Sequence, residues 1–198
     1  MTDIADRVRI EDETVLSDWH YVLKKVRYSW RRGDGAWQQS AREVYDRGNG
    51  AAILLYNRDR RAVILTRQLR IPVYLNGYHE LMIEAAAGVL DGDPPEKRVR
   101  EEAEEETGYR PRNMRKVFEL FMSPGAVTER LHLFVAEYDP ADRTGKGGGL
   151  KDEGEDIEVL ELPFAQAMAM AADGRICDAK TIVLLQYAAL HLFGGDAA

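Results

Sequence analysis

The chain has 198 residues, enough for one domain with a sizeable core or one domain plus an arm. Acidic residues outnumber basic ones, 34 to 27, for a net charge of −7, which argues against a nucleic-acid groove. A small phosphorylated ligand stays open, because local arginines or a bound metal can reverse the local field. The one cysteine, Cys177, excludes an internal disulfide and a Cys-type zinc site, and it reads as a small buried apolar residue. No apolar run reaches membrane-spanning length, and the acidic start MTDIADRVRIEDE does not suit a signal peptide, so a cytoplasmic protein is expected.

In chain order, residues 20–31 and 36–45 flank Gly33-Asp34-Gly35 and predict a β-hairpin. The first fifty residues have no continuous core of their own, so they read as a small separate sheet or arm. GAAILLYN (50–57) and RAVILTRQLRI (61–71) predict a second strand pair. GYHELMIEAAAG (77–88) reads as one strand entering a loop, and GDPP (92–95) is a strong break. Pro95 to Thr107 predicts a helix, with Pro95 in its first turn and Gly108 as its C-terminal cap.

Strands follow at 114–122 and 130–138, then a charged, Gly-rich tract over 139–156. A short strand at 157–164 and helices at 165–173 and 178–193 close the chain. Strands with one central and two late helices predict an α+β fold, or a mixed sheet packed between helices.

The segment REEAEEETGY (100–109) sets five glutamates in one block broken only by Ala103. At 100° per residue, Glu102 and Glu106 share a helical face, with Glu105 beside them. Like charges so placed repel. Either the face is solvated, or the carboxylates converge on a hard divalent cation such as Mg2+. Gly88 and the Gly-Pro loop before the helix aim the acids back toward the preceding strand, which favours the cation.

GVLDGDPPEKRVREEAEEETGY (88–109) resembles the Nudix box, G-x5-E-x7-R-E-U-x-E-E-x-G-U, with U a bulky apolar residue. Glu102 through Tyr109 fit its second half. The first half departs: the interval from Gly88 to Gly108 is one residue short, Glu101 stands at the arginine position with Arg100 adjacent, and Asp93 or Glu96 stands near the early glutamate. The shortened box, together with REVYDRGNGAAILLYN (42–57), RQLR (67–70), FELFMSPGAVTE (118–129), AEYDP (136–140), GEDIEVLELPF (154–164) and DAKT (178–181), is similar to the bacterial GDP-mannose pyrophosphatase subfamily, close to the ADP-ribose pyrophosphatases.

The resemblance implies a Nudix α/β/α sandwich, residues 49–198, with an N-terminal antiparallel β arm, residues 1–48, exchanged in a homodimer. It implies Mg2+-dependent (or Mn2+-dependent) hydrolysis of a nucleoside diphosphate sugar, GDP-mannose first, giving GMP and mannose 1-phosphate. ADP-ribose is the rival substrate, and a non-catalytic sugar-nucleotide sensor the rival class. The implied metal ligands are Glu102, Glu106, the Ala87 carbonyl and Glu155, with Glu153 as the alternative to Glu155 and Glu105 assisting. The base is expected among Glu155, Asp156 and Glu129. Implied substrate contacts are Arg70 on a phosphate, Gly88, Lys180, Glu129, Arg42 and Glu43 from a partner's arm, and His20 or Tyr21 on the base. The Gly-rich tract before Glu155 is expected to close over substrate. His79, His132 and His191 read as strand or surface residues. TGKGGGL lacks the G-K-[S/T] of a P-loop, and Ser123 lacks the G-x-S-x-G of a nucleophile elbow.

Overall fold

A computed structural model describes residues 3–150, 152 and 154–194, so Glu153 lies outside the described residues. The chain divides into two compact units: the segment through Asn49 together with Phe121–Arg130, and the segments Gly50–Leu120 and Leu131 onward.

The first unit carries a three-stranded antiparallel sheet in the order β1 (Val8–Asp18), β2 (Val22–Arg31), β3 (Trp37–Asp46). The expected hairpin is β2–β3, in register from Val22 opposite Asp46 to Arg31 opposite Trp37. Its turn is closed by Asp34, which accepts the Ala36 amide at 3.0 Å, and by Gly35 at φ +86°. Strand β1 was not foreseen. Register shifts between Ile10 and Asp12 and between Val15 and Ser17 break the alternation that would have marked it. With little core to bury, this sheet is tied by surface pairs such as Lys24–Glu13 at 3.1 Å and by Arg7 over Trp30 and Arg9 over Trp37. The 121–130 segment joins through a parallel bridge between Tyr45 and Val127.

The second unit is built on a seven-stranded mixed sheet. Its strands are β4 (Gly50–Asn57), β5 (Ala62–Gln68), β6 (Met82–Glu84), β7 (Ala86–Val89), β8 (Arg112–Phe121), β9 (Arg130–Glu137) and β10 (Glu158–Pro163). The main path runs β10-β5-β4-β9-β8, with β6 on β5 and β7 on β4. Strand β4 lies parallel to β9 and is apolar and buried nearly throughout, as a strand covered on both faces must be.

The helices are α1 (Ile71–Leu75), α2 (Pro95–Glu102), α3 (Phe164–Ala172) and α4 (Ala179–His191). Val99 of α2 and Ala103 just beyond its end, one turn apart, enter a core with Ile53, Leu55, Ile64, Ala86 and Phe134. Ala52 and Leu54, alternating with those strand residues, are equally buried, and α4 packs against the same strand.

The expected single strand over 77–88 is two. Its chain changes partner at Ala85, from β5 to β4, and the freed Ala85 amide donates to the Thr181 hydroxyl at 2.7 Å. Cys177 is exposed rather than buried, because it stands in the α3–α4 connection, with its sulfur 3.9 Å from that of Met82. His79 and His191 are exposed, and His132 lies in β9. Among the described residues no helix is long and apolar enough to cross a membrane.

Candidate active site

The carboxylate block folds as expected and with one addition. Helix α2 begins at Pro95, whose missing N–H is harmless in a first turn, and continues beyond Glu102 into a π-helical turn over Ala103–Thr107. Gly108 ends it in the left-handed conformation, φ +76°, with its amide on the Glu104 carbonyl at 3.0 Å. Glu102 and Glu106 are both buried, 5% and 1% exposed, which a solvated acidic face would not be. Glu105 is half-buried.

The strand–loop preceding the helix meets these carboxylates directly. The Ala87 amide donates to Glu106 Oε2 at 3.2 Å. Gly88 sits so close to Glu102 that a Cβ there would stand 1.7 Å from Oε1. Arg98, one turn before Glu102, pairs with the same Oε1 at 2.5 Å and donates from Nε to the Val89 carbonyl at 3.2 Å. Arg100, the arginine adjacent to the motif position, points instead to the Pro111 carbonyl at 3.1 Å.

Burial, reinforced by the charges of Glu102 and Glu155, pushes the Glu106 carboxyl up to about 8, against the pull of Arg70 and the Ala87 amide. Three carboxylates thus share one field. Glu155 accepts the Leu150 amide at 2.8 Å, and Asp156 beside it is exposed. The donor set is all oxygen, which is the chemistry of a hard divalent ion, and such an ion would offset both the burial and the repulsion that raise Glu106. The residues therefore fit a divalent cation, although among the described residues no three acidic, His or Cys side chains already stand as a ligand cage.

A second charged cluster lies in this unit. Glu84, buried at the end of β6, takes Arg70 Nε at 2.7 Å and Lys180 Nζ at 2.5 Å. Lys180 also meets Asp178 at 3.0 Å, so this lysine at the start of α4 is enclosed between two carboxylates rather than solvated. Burial alone would raise Glu84, but Lys180 and Arg70 outweigh it and hold the carboxyl below its ordinary value. The same pairing raises Lys180 against its own burial.

The remaining expected residues belong to the first unit. Glu129 pairs with Arg47 at 3.5 Å, and that guanidinium lies over the Tyr21 ring, 5.5 Å from its centroid. Tyr21 also contacts His20, centroids 4.4 Å apart, and Tyr45. Arg42 and Glu43 are exposed on β3, with Arg42 donating to the Ala41 carbonyl at 2.8 Å.

The structure thus gathers Glu102, Glu106, Ala87, Gly88, Glu155 and Arg70 in one unit, and His20, Tyr21 and Glu129 in the other. Sequence reasoning missed Arg98, Glu84, Asp178 and Arg47. Two of these had signals: Arg98 precedes Glu102 by four residues, the spacing of a helical ion pair, and Glu84 is a lone carboxylate in the apolar run MIEAAA.

A buried glutamate pair on a glycine-capped helix, set against a strand–glycine loop within a mixed sheet, is the Nudix arrangement. Residues 46–185 match the sequence model of the NUDIX domain, and residues 7–45 match that of the GDP-mannose pyrophosphatase NudK N-terminal domain. The chain belongs to the Nudix family: it is a hydrolase of pyrophosphate bonds, and its family generally uses divalent metal ions.

The chain is similar to a protein named GDP-mannose pyrophosphatase from Pectobacterium atrosepticum, 54% identical over 189 residues, 95% of this chain and 97% of that one. It is also similar to proteins of the same name from Klebsiella pneumoniae, 54% identical over 179 residues (90% and 89%), and Escherichia coli, 49% over 185 residues (93% and 96%).

Proposed function

We propose that this chain hydrolyses the diphosphate of GDP-mannose to GMP and mannose 1-phosphate with Mg2+, as a homodimer whose exchanged arms complete the substrate site. The observation that carries the reading is the extent of the likeness to the named pyrophosphatases, which includes the N-terminal segment as well as the Nudix domain. Intact Glu102, Glu105 and Glu106 favour a catalyst over a sensor, since a binding module has no need of so repulsive a cluster.

Glu102, Glu106, Glu155 and the Ala87 carbonyl would hold the cation, which when bound neutralises the diphosphate and makes a nucleophilic water available at neutral pH. Arg70 offers a planar guanidinium to a phosphate, held by Glu84 from behind. Lys180 shares the same Glu84 carboxylate and would lie near the bound substrate. Gly88, lacking a side chain, lets Glu102 and the substrate approach the strand. Proton removal from the attacking water is assigned to the group Glu105, Glu129, Glu155 and Asp156. His20 or Tyr21 stacks on the base, and Arg42 and Glu43 reach the substrate from the partner's arm.

The test is phosphatase-coupled phosphate release from GDP-mannose, ADP-ribose, ADP-glucose and UDP-glucose with Mg2+. Release strongest with GDP-mannose and abolished by EDTA is expected. Release strongest with ADP-ribose would overturn the substrate and keep the chemistry; none with any of the four would return the sensor reading.

A further inference from the structure

The carboxylate helix ends on Gly108, and a second glycine, Gly147, crosses it in backbone contact. A Cβ on Gly108 would stand 2.4 Å from the Gly145 carbonyl oxygen and 2.7 Å from the Gly147 nitrogen. A Cβ on Gly147 would stand 2.5 Å from the Glu106 carbonyl oxygen and 2.6 Å from the Thr107 carbonyl carbon. Both residues have positive φ, +76° and +69°, a conformation that disfavours any side chain. The opposing atoms are backbone on both sides, so neither can swing aside.

The crossing is knitted by hydrogen bonds. Gly108 O accepts the Thr144 amide at 2.8 Å; Glu106 O accepts Gly148 N–H at 2.9 Å; Glu105 O accepts Gly149 N–H at 3.1 Å. These carbonyls lie at the helix end, where no further turn exists to satisfy them. Glu105 and Glu106 therefore serve the site with their side chains and the Gly-rich segment with their backbones.

Glu155 is held by the residues just after the crossing. Gly149 packs against it so closely that a Cβ would stand 2.3 Å from Glu155 Oε2. The Leu150 amide donates to that same oxygen at 2.8 Å, the Glu155 amide donates to the Leu150 carbonyl at 3.3 Å, and the Ile157 amide donates to the Gly148 carbonyl at 3.2 Å. The carboxylate is thus suspended from residues 148–150.

We infer that Gly147 is a positioning residue: by crossing Gly108 it latches the Gly-rich segment to the last carbonyls of the carboxylate helix and so fixes Glu155 in the field of Glu102 and Glu106. The inference rests on the reading of Glu155 as a cation ligand. It replaces the expectation that this tract closes over substrate, since the part bearing the glycines is already tied down.

The test is Mg2+ binding by the full chain, read by isothermal titration without substrate, for wild type, G147A, G154A, E155Q and G147A/E155Q. Gly154 has a similar positive φ, +76° against +69°, but open space around it, so G154A carries the strain without the clash. G147A and E155Q are each expected to weaken Mg2+ binding about tenfold, the usual effect of disturbing a ligand's support. The double variant is expected to bind no more weakly than E155Q, and G154A to bind like wild type.

Wild-type binding by G147A beside a weakened E155Q overturns the latch alone, as do additive effects in the double variant. Wild-type binding by E155Q overturns its assignment as a ligand and the latch with it. If G147A does not fold, hydrogen exchange of the wild-type protein decides: the Gly148 and Gly149 amides are expected to be protected, and exchange at the rate of an open loop would overturn the latch.

Discussion

Arg98 and Glu102 are joined across one helical turn, and the arginine reaches back in the same posture to the Val89 carbonyl. One guanidinium therefore ties the strand before the loop to the carboxylate after it. With Glu102 Oε1 committed to Arg98, the orientation of the whole carboxylate is set. R98M removes the tie while keeping the aliphatic stem. It is expected to weaken Mg2+ affinity about tenfold and to lower the stability of the metal-free protein by about 1–3 kcal/mol. Turnover at saturating Mg2+ should recover most of its wild-type value. Tighter Mg2+ binding by R98M would show instead that Arg98 competes with the ion.

Gly88 faces the same oxygen from the strand side. A methyl group at 88 would overlap Glu102 Oε1, at 1.7 Å, and the colliding group is a side-chain end that can rotate. G88A should therefore fold, with Glu102 displaced rather than the backbone. Loss of Mg2+ binding with the unfolding midpoint within a few degrees of wild type is the expected result. Unchanged Mg2+ binding would remove Glu102 from the ligand set.

Glu84 is the pivot between Arg70 and Lys180, and its removal should be felt at both. E84Q leaves the Lys180 ammonium enclosed with Asp178 as its remaining carboxylate partner. A destabilisation of about 3 kcal/mol near neutral pH is expected, typical of breaking a buried pair. The pH dependence has a definite sign. Glu84 lies below its ordinary 4.5 in the folded protein, so its contribution is present above that value and is lost as pH falls through the folded value. Lys180 lies above its ordinary 10.5, so its contribution holds below that value and is lost as pH rises through the folded one. The stability gap between E84Q and wild type should be flat from about pH 5 to 9 and shrink below pH 4.5. Urea unfolding at several pH values measures it, and a gap unchanged at acid pH would separate Glu84 from the pairing.

The legible parts of this protein were those where local chemistry and tertiary demand agree. Gly33-Asp34-Gly35 marks a hairpin turn, Pro95 and Gly108 mark the ends of a helix, and the Glu102–Glu106 spacing marks a face; each has one dominant solution. Strand β1 was hidden because its bulges cancel the period-2 pattern, and because its apolar residues, such as Ile10 and Val15, stay exposed. The split at Ala85 was hidden because a strand that changes partner looks like an unbroken apolar run. Arg98 was missed for a different reason. Counting within a motif looks along the chain, whereas the guanidinium is placed by the helical turn, which brings residue 98 rather than 100 onto the Glu102 face. Glu84 and Lys180 needed partners 96 residues apart in sequence, which no local pattern encodes.

On the proposal that Glu106 holds the cation, one carboxyl group links the cation, the proton and the fold. In the metal-free protein burial and its acidic neighbours push it up to about 8, from an ordinary 4.5. The folded state therefore holds a proton that the unfolded chain has released between those values, and metal-free stability should fall as pH rises from 4.5 to about 8, then level off. A cation that needs the ionised carboxylate must displace that proton. Mg2+ binding at pH 7 should release about one proton per site, seen as a dependence of the titration heat on the buffer's ionisation enthalpy. E106Q keeps the shape and removes the charge. It should fold, lose turnover by at least about a hundredfold, release no proton with Mg2+, and in metal-free form exceed wild-type stability at pH 8 but not at pH 5. An E106Q protein that unfolds at ordinary temperature would make Glu106 a structural residue and would leave the burial of Glu102 beside it without a chemical purpose.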